Sequence, residues 1–163
     1  MAKADLTAQR LRELLHYNPD TGLFTRRVNV RGYFAGTKAG CISKNGYVHI
    51  TADANNSYGH RLAWLYMTGE WPKHHIDHID GNPSNNCWSN LRDVSTVVNI
   101  QNRKRANKNS TSGFLGVRRS RHRFSAAITI DRRAIHLGQF DSPEDAHQAY
   151  LDAKRRMHEG CTI

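Results

Sequence analysis

Asp77 and His78 stand side by side in the run His75-Ile76-Asp77-His78-Ile79-Asp80-Gly81-Asn82, with Asn90 twelve and Asn99 twenty-one positions after His78. A carboxylate offers a hard oxygen to a divalent cation. An imidazole with an ordinary pKa near ~6.5 is neutral at working pH and can take a proton from water. Hydrolysis of a phosphodiester needs both functions: a water with a base beside it, and positive charge near the phosphoryl and leaving oxygens. The side-chain carbonyl of Asn99 is a second candidate oxygen, and two protein ligands suffice for Mg²⁺, which keeps several waters. Asn102, one turn later on the same helical face, competes with Asn99 for that role. Adjacent strand residues point to opposite faces, so Asp77 and His78 serve one site only where the strand ends or bends. The Gly81-Asn82-Pro83 turn that follows gives a reason for such a distortion.

These residues need elements to hold them, and the chain has room for one moderate core or two small ones in its 163 residues. Leu11, Leu14 and Leu15 share a helical stripe within 6–17, and Asn18-Pro19-Asp20-Thr21-Gly22 stops that helix in a turn. From Leu23 to Thr51 short runs of Phe, Val, Tyr and Ile are broken by glycines. Asn45-Gly46 predicts a hairpin turn leading into a strand over Tyr47–Thr51. Leu62, Trp64, Leu65 and Tyr66 predict a helix over 60–68, ended by Gly69 and Pro72. The helix that carries Asn99 starts at Ser95 or Thr96. Leu62, Trp64 and Trp71 read as core. His74 and His75 read either as lining a substrate channel or as exposed polar residues.

Charge and composition narrow the partner. The chain has 24 Lys and Arg against 14 Asp and Glu, a net charge of +10, which points to an acidic polymer. An anionic membrane surface is the weaker reading, because Leu62–Met67 is the longest uninterrupted apolar run and falls far short of the ~20 residues that span a bilayer. Met1-Ala2-Lys3-Ala4-Asp5 lacks the profile of a signal peptide, so a cytoplasmic location is expected. Cys41, Cys87 and Cys161 are odd in number and widely spaced, and support neither a disulfide framework nor a paired-cysteine zinc site.

The stretch HHIDHIDGNPSNNCWSNLRDVSTVVNIQNR resembles the ββα-metal core of HNH endonucleases, especially the phage-type homing enzymes, and GHRLAWLYMTGEWP resembles the helix before it. The match covers residues 20 to 103. It implies that Asp77 and Asn99 ligate the metal, that His78 activates water, and that Asn90 braces the loop and holds His78 in orientation. Many members of that family carry His at the third position, where this chain has Asn99. The resulting H-N-N site is richer in oxygen, which favours Mg²⁺ or Mn²⁺ and not zinc. Cutting would leave a 5′-phosphate and a 3′-hydroxyl. One such core nicks a single strand, and the protein is expected to act as a monomer or weak dimer.

From Arg103 to Arg133 the chain has ten Lys or Arg and a single acid, Asp131. Residues 103–112 read as a basic linker, and 113–163 as alternating strands followed by a helix. Ser142 is its predicted N-cap, Pro143 its first position, Asp145 the capping-box acid, and Ala146, Ala149, Tyr150, Ala153 and Met157 its buried stripe. The segment from Ser112 to Arg155, with its landmarks GVRR and LGQFDSPEDAHQAY, resembles the plant ethylene-response-factor DNA-binding domain, in which a three-stranded sheet enters the major groove of double-stranded DNA. By alternation Phe124, Ala126, Ile128, Ile135 and Leu137 face the helix, and Arg118, Ser125, Ala127, Thr129 and His136 face DNA. Several positions that carry base-reading Arg, Glu or Trp in the plant domains are Ala, Ser, Thr or His here. Arg103, Lys104, Arg105, Arg118, Arg119, Arg121, Arg123, Arg132 and Arg133 are therefore expected mainly to grip phosphates, with Arg118 also reading guanine. At Arg103, contact with the scissile strand and a solvated helix end are equal alternatives. Arg26, Arg27 and Arg31 extend the basic track.

The expected whole is α+β: a nuclease domain over 1–102 with a small β-rich N-terminal region and a ββα core at 74–103, then a three-stranded antiparallel sheet packed on one helix. A non-catalytic DNA-binding regulator with a relic HNH core is the alternative. RNA binding has less behind it, because no aromatic-studded sheet is evident.

Overall fold

The computed structural model describes residues 6–30 and 32–162. Arg31 and the Met1–Asp5 run lie outside the described residues. The chain is α+β and divides into two compact units, Met1–Ser95 and Thr96–Ile163.

The first unit opens with α1 (Ala8–Leu14), where the Thr7 hydroxyl accepts a bond from the Arg10 N–H and so caps the first turn. Three short strands follow as one antiparallel sheet in chain order: β1 (Leu15–Tyr17), β2 (Phe24–Arg26) and β3 (Lys38–Ala39). The turn between β1 and β2 forms as its composition dictates, because the Asn18 carboxamide oxygen accepts from the N–H groups of both Asp20 and Thr21. A second antiparallel sheet holds β4 (Cys41–Ile42), β5 (Val48–Ala52) and β6 (Asn55–Tyr58). Its first hairpin closes with the Ser43 N–H on the Tyr47 carbonyl across the Asn45-Gly46 turn, so β5 begins one residue after its predicted start.

Helix α2 (Gly59–Thr68) ends at Gly69, which takes φ +86°. A two-stranded antiparallel ribbon follows, made of β7 (His75–His78) and β8 (Leu91–Val94). The unit's core gathers Leu11, Tyr17, Phe24, Ile50, Leu62 and Leu65 with Ile76 and Leu91 of the ribbon, while Trp64 and Trp71 pack against it. The ribbon is thus anchored by its own apolar residues, which alternate with the polar ones that matter for chemistry.

The second unit begins with α3 (Thr96–Gln101). Strands β9 (Val117–Ser120), β10 (Arg123–Ile130) and β11 (Arg133–Phe140) then form an antiparallel sheet with β10 in the middle. Helix α4 (Pro143–Met157) starts as predicted, with the Ser142 hydroxyl accepting from the Asp145 N–H. Ala146 and Tyr150 of α4 pack on Val117, Ala126 and Ile128.

One side chain of the predicted buried stripe departs from it. Met157 is 42% exposed, because the buried stripe ends at Ala153 and Lys154. Ile135 lies directly across from buried Ile128 but remains 40% exposed, being on the outer strand. Further along the same pair of strands the register slips by one residue, leaving Leu137 as the extra residue of a β-bulge.

Candidate active site

Strand β7 ends at His78, and its last three residues, Ile76, Asp77 and His78, are all buried. The strand end that the sequence required is therefore present. Asp77 pairs across the ribbon with Arg92, whose Nε and Nη2 donate to Asp77 Oδ2 at 2.9 and 2.7 Å. A carboxylate removed from water to this degree needs such a partner. Arg92 fixes the orientation of Asp77, and its place follows from register alone: in SNLR it is the residue opposite Asp77.

His78 is held differently. Its Nε2 lies 3.1 Å from Oδ1 of buried Asn86, an amide oxygen that can only accept. The Nε2 atom therefore carries the hydrogen and Nδ1 carries the basic lone pair. Burial pushes the imidazole below its ordinary pKa, while the Asn86 bond and the carboxylates of Asp80 and Asp77 pull it the other way. The outcome is a neutral, oriented ring, which is the state a general base requires.

Asn90 ties the connecting loop. Its carboxamide oxygen accepts from the Asp80 N–H, its Nδ2 donates to Asp80 Oδ1 and to the Asn85 carbonyl, and its own carbonyl accepts from the Ile79 N–H. Asn90 thus braces the loop that follows His78, and Asn86 touches the ring itself. The sequence offered no sign of Asn86, one of several asparagines in the same loop.

The N-terminal sheet positions Asn86 in turn. The buried Tyr17 hydroxyl donates to the Asn86 carbonyl at 2.7 Å, and the Trp88 N–H donates to the Pro19 carbonyl. Gly22 sits in the left-handed region at φ +69°, where a Cβ would lie 2.4 Å from the Asn86 carbonyl carbon. Only glycine lets that turn approach so closely. A second imidazole, His60 at the start of α2, meets His78 edge-on with ring centroids 5.0 Å apart and stacks on Tyr58. Burial pushes His60 down to about 3, and its Nδ1 has no hydrogen-bond partner.

Asn99, by contrast, lies on α3 in the second unit and is partly buried. Asn102 is buried at 3% exposure, and its side-chain oxygen accepts from the Thr162 hydroxyl. Among the described residues no group of three or more His, Cys, Asp and Glu is placed to hold a metal. Asp77 by itself offers a buried carboxylate oxygen of the kind that suits a hard cation keeping most of its own waters. His74 and His75 are exposed, and His74 Nδ1 stands 3.5 Å from Asp93.

The basic residues of the second unit lie on the strands and turns of its sheet. Arg118, Arg119, Arg121, Arg123, Arg132 and Arg133 are all exposed. Arg118 pairs in register with Ser125, and Ala127 with His136, so these residues lie on one face with Thr129. Their small side chains floor a groove of about 540 Å³, bordered by Asn107 and Ser110. Arg123 forms an exposed ion pair with Asp141, and Arg103 donates to Asn107. Lys104 Nζ reaches the Thr162 carbonyl at 3.4 Å, and Arg105 is exposed. Among the described residues no helix is long and apolar enough to cross a membrane.

Comparison with known proteins places these features in a family. The HNH endonuclease family matches residues 57–99, which include α2, Asp77, His78, Asn90 and Asn99. The chain is 42% identical over 102 residues to Protein 3.8 of Escherichia phage T7, an alignment spanning 61% of this chain and 83% of that protein. A solved structure described as DNA binding and cleavage by the HNH homing endonuclease I-HmuI aligns over 90% of this chain and 88% of its own, at 21% identity and a TM-score of 0.43.

Proposed function

Because this chain belongs to the family of Protein 3.8 of Escherichia phage T7 and carries an HNH endonuclease domain, we propose that it is a metal-dependent DNA endonuclease of the homing type. It nicks one strand per active site and leaves a 5′-phosphate and a 3′-hydroxyl. The observation that carries this reading is the hold on His78: a buried, neutral imidazole at a strand end, with Nε2 committed to Asn86.

In this reading His78 takes a proton from water through Nδ1 as the water attacks phosphorus. Asp77 and Asn99 would hold a divalent cation, which when bound would supply positive charge near the phosphoryl and leaving oxygens. Asn99 is preferred to Asn102 because the latter's oxygen already accepts from Thr162 inside the second unit. Arg92 keeps Asp77 aimed and offsets its charge. Asn90 holds the loop that follows His78.

Residues 113–163 serve as the DNA-reading part, in the manner of an ethylene-response-factor domain. The support is a set of exposed arginines on a sheet with one face of small residues, suited to phosphate contact more than to base reading. The enzyme acts on double-stranded DNA as a monomer or weak dimer, in the cytoplasm of a host cell if it is phage-encoded.

Supercoiled plasmid tests the proposal directly. Relaxation in Mg²⁺ that EDTA abolishes, and that His78→Ala lowers by about 100-fold or more with DNA affinity unchanged, is the expected result. Undiminished nicking by purified His78→Ala would refute the assignment of the base. A gel shift with no cutting under any divalent ion would favour a DNA-binding regulator.

A further inference from the structure

Between Asp20 and Asp53 the chain has five Lys or Arg and no acidic side chain. The loop that joins β2 to β3 lies in the middle of that stretch, within the first unit, and it leaves aromatic rings in water. Phe34 is 68% exposed and Tyr33 57%, and Val28 and Val30 of the same loop are exposed as well. None of the four belongs to the core, so packing does not account for them.

The loop is braced, not slack. The Arg26 N–H donates to the Thr37 carbonyl and the Gly36 N–H to the Arg26 carbonyl, which closes its base. Val30 and Tyr33 exchange both backbone hydrogen bonds, at 2.9 and 2.8 Å, across a turn that Gly32 permits at φ +79°. Next to Phe34, the Ala35 N–H donates to the Asn29 carboxamide oxygen, and the Thr37 hydroxyl donates to the Phe34 carbonyl. The Arg26 guanidinium lies 4.3 Å from the centroid of the Tyr33 ring, a cation–π contact. Its Nε has no hydrogen-bond partner, and among the described residues no carboxylate pairs with Arg26 or with exposed Arg27.

An ordered loop with an aromatic tip and unopposed positive charge at its base is complementary to one kind of partner. Duplex DNA offers phosphates to the arginines and, between base pairs, a flat apolar slot that takes a side chain. An apolar protein surface would cover the rings and leave the cations unanswered.

We propose that the described residues of this loop form a basic finger that inserts Phe34 as a wedge between neighbouring base pairs and kinks the duplex, while Arg26 and Arg27 hold nearby phosphates. The inference rests on the reading of duplex DNA as the partner, and not on the roles given to Asp77, His78 or Asn99. Because the bracing bonds order the tip beforehand, little loss of freedom opposes its insertion. The first unit thereby has a grip on its substrate independent of the sheet in the second.

A partly unstacked step loses helical twist, which supplies the readout. The test uses the full chain in EDTA, so that no strand is cut, with closed circular plasmid relaxed by a topoisomerase that needs no metal. The parent should lower the linking number in proportion to the protein bound. Phe34→Ser should lose about 5-fold or more of that unwinding per bound protein and bind several-fold more weakly, with an unchanged salt slope because no charge is removed. Phe34→Leu should keep much of it, since aliphatic side chains also act as wedges. Arg27→Ala should do the reverse, with unwinding per bound protein unchanged and the salt slope reduced by about 1. Exposed Phe34 contributes little to the fold, so the urea midpoints of its variants should match the parent. Equal unwinding by Phe34→Ser and the parent, or binding by the parent without unwinding, would overturn the finger alone and leave the rings to a protein partner. Absence of duplex binding by the parent would overturn the finger together with the DNA reading beneath it.

Discussion

The ribbon of the first unit and the sheet of the second are both built from short antiparallel strands, yet they treat their charged residues in opposite ways. On the ribbon, Asp77, His78 and Asn90 are buried, and each is held by named side-chain partners. On the sheet the arginines are exposed, and Arg123 forms an ion pair with an aspartate itself 88% exposed. Proton transfer depends on geometry to within fractions of an ångström, so its groups must be locked by neighbours. Phosphate contact depends mostly on charge density, so its groups can remain solvated and mobile.

The strongest way to break that contrast is to unlock the ribbon without removing a reacting group. Asn86→Ala removes the partner of His78 Nε2 and should lower the nicking rate about 10–100-fold while DNA affinity holds. A rate within twofold of the parent would mean that His78 needs no such support. Gly22→Ala should act in the same direction through the Asn86 backbone, since its Cβ has no room.

A second prediction concerns the burial of His60. Its folded pKa of about 3 lies below the ordinary imidazole value, so the unfolded chain binds the extra proton. The neutral ring therefore favours the fold fully above pH ~6.5, and that advantage is lost as pH falls through the window down to about 3. Between pH 7 and 5 the loss should be about 2 kcal/mol, read from urea midpoints. His60→Phe should flatten that slope. An unchanged slope in the variant would place the acid sensitivity elsewhere.

The smallest effects belong to the sheet. Arg118→Ala and Arg119→Ala should each weaken DNA binding several-fold and reduce the salt slope by about 1, with the nicking rate of bound DNA unchanged. Loss of that rate at saturating DNA would show that these arginines do more than hold DNA.

Much of this architecture could be read from the residues. Ser142, Pro143 and Asp145 announce the start of α4, and Asn45-Gly46 announces a hairpin, because caps and turns are settled by neighbours a few residues apart. The end of a strand at His78 was legible for the same reason, from the Gly81-Asn82-Pro83 turn that follows it. Arg92 could have been found by counting the register across the ribbon. Asn86 could not, because its role depends on the Tyr17 hydroxyl and the Gly22 turn, which approach it from more than sixty residues away. Helical spacing also misjudged Met157, whose exposure depends on the end of α4.

By itself, then, the sequence determined the chemistry available: one imidazole, one carboxylate, paired asparagines, and a basic tract for an acidic polymer. Tertiary structure decided which asparagine holds His78 and which arginine offsets Asp77. The physical reason is range. Propensity, capping and charge act over a few residues, whereas orientation of a buried polar group is fixed by whatever partner the fold brings to it, since burial without one is too costly.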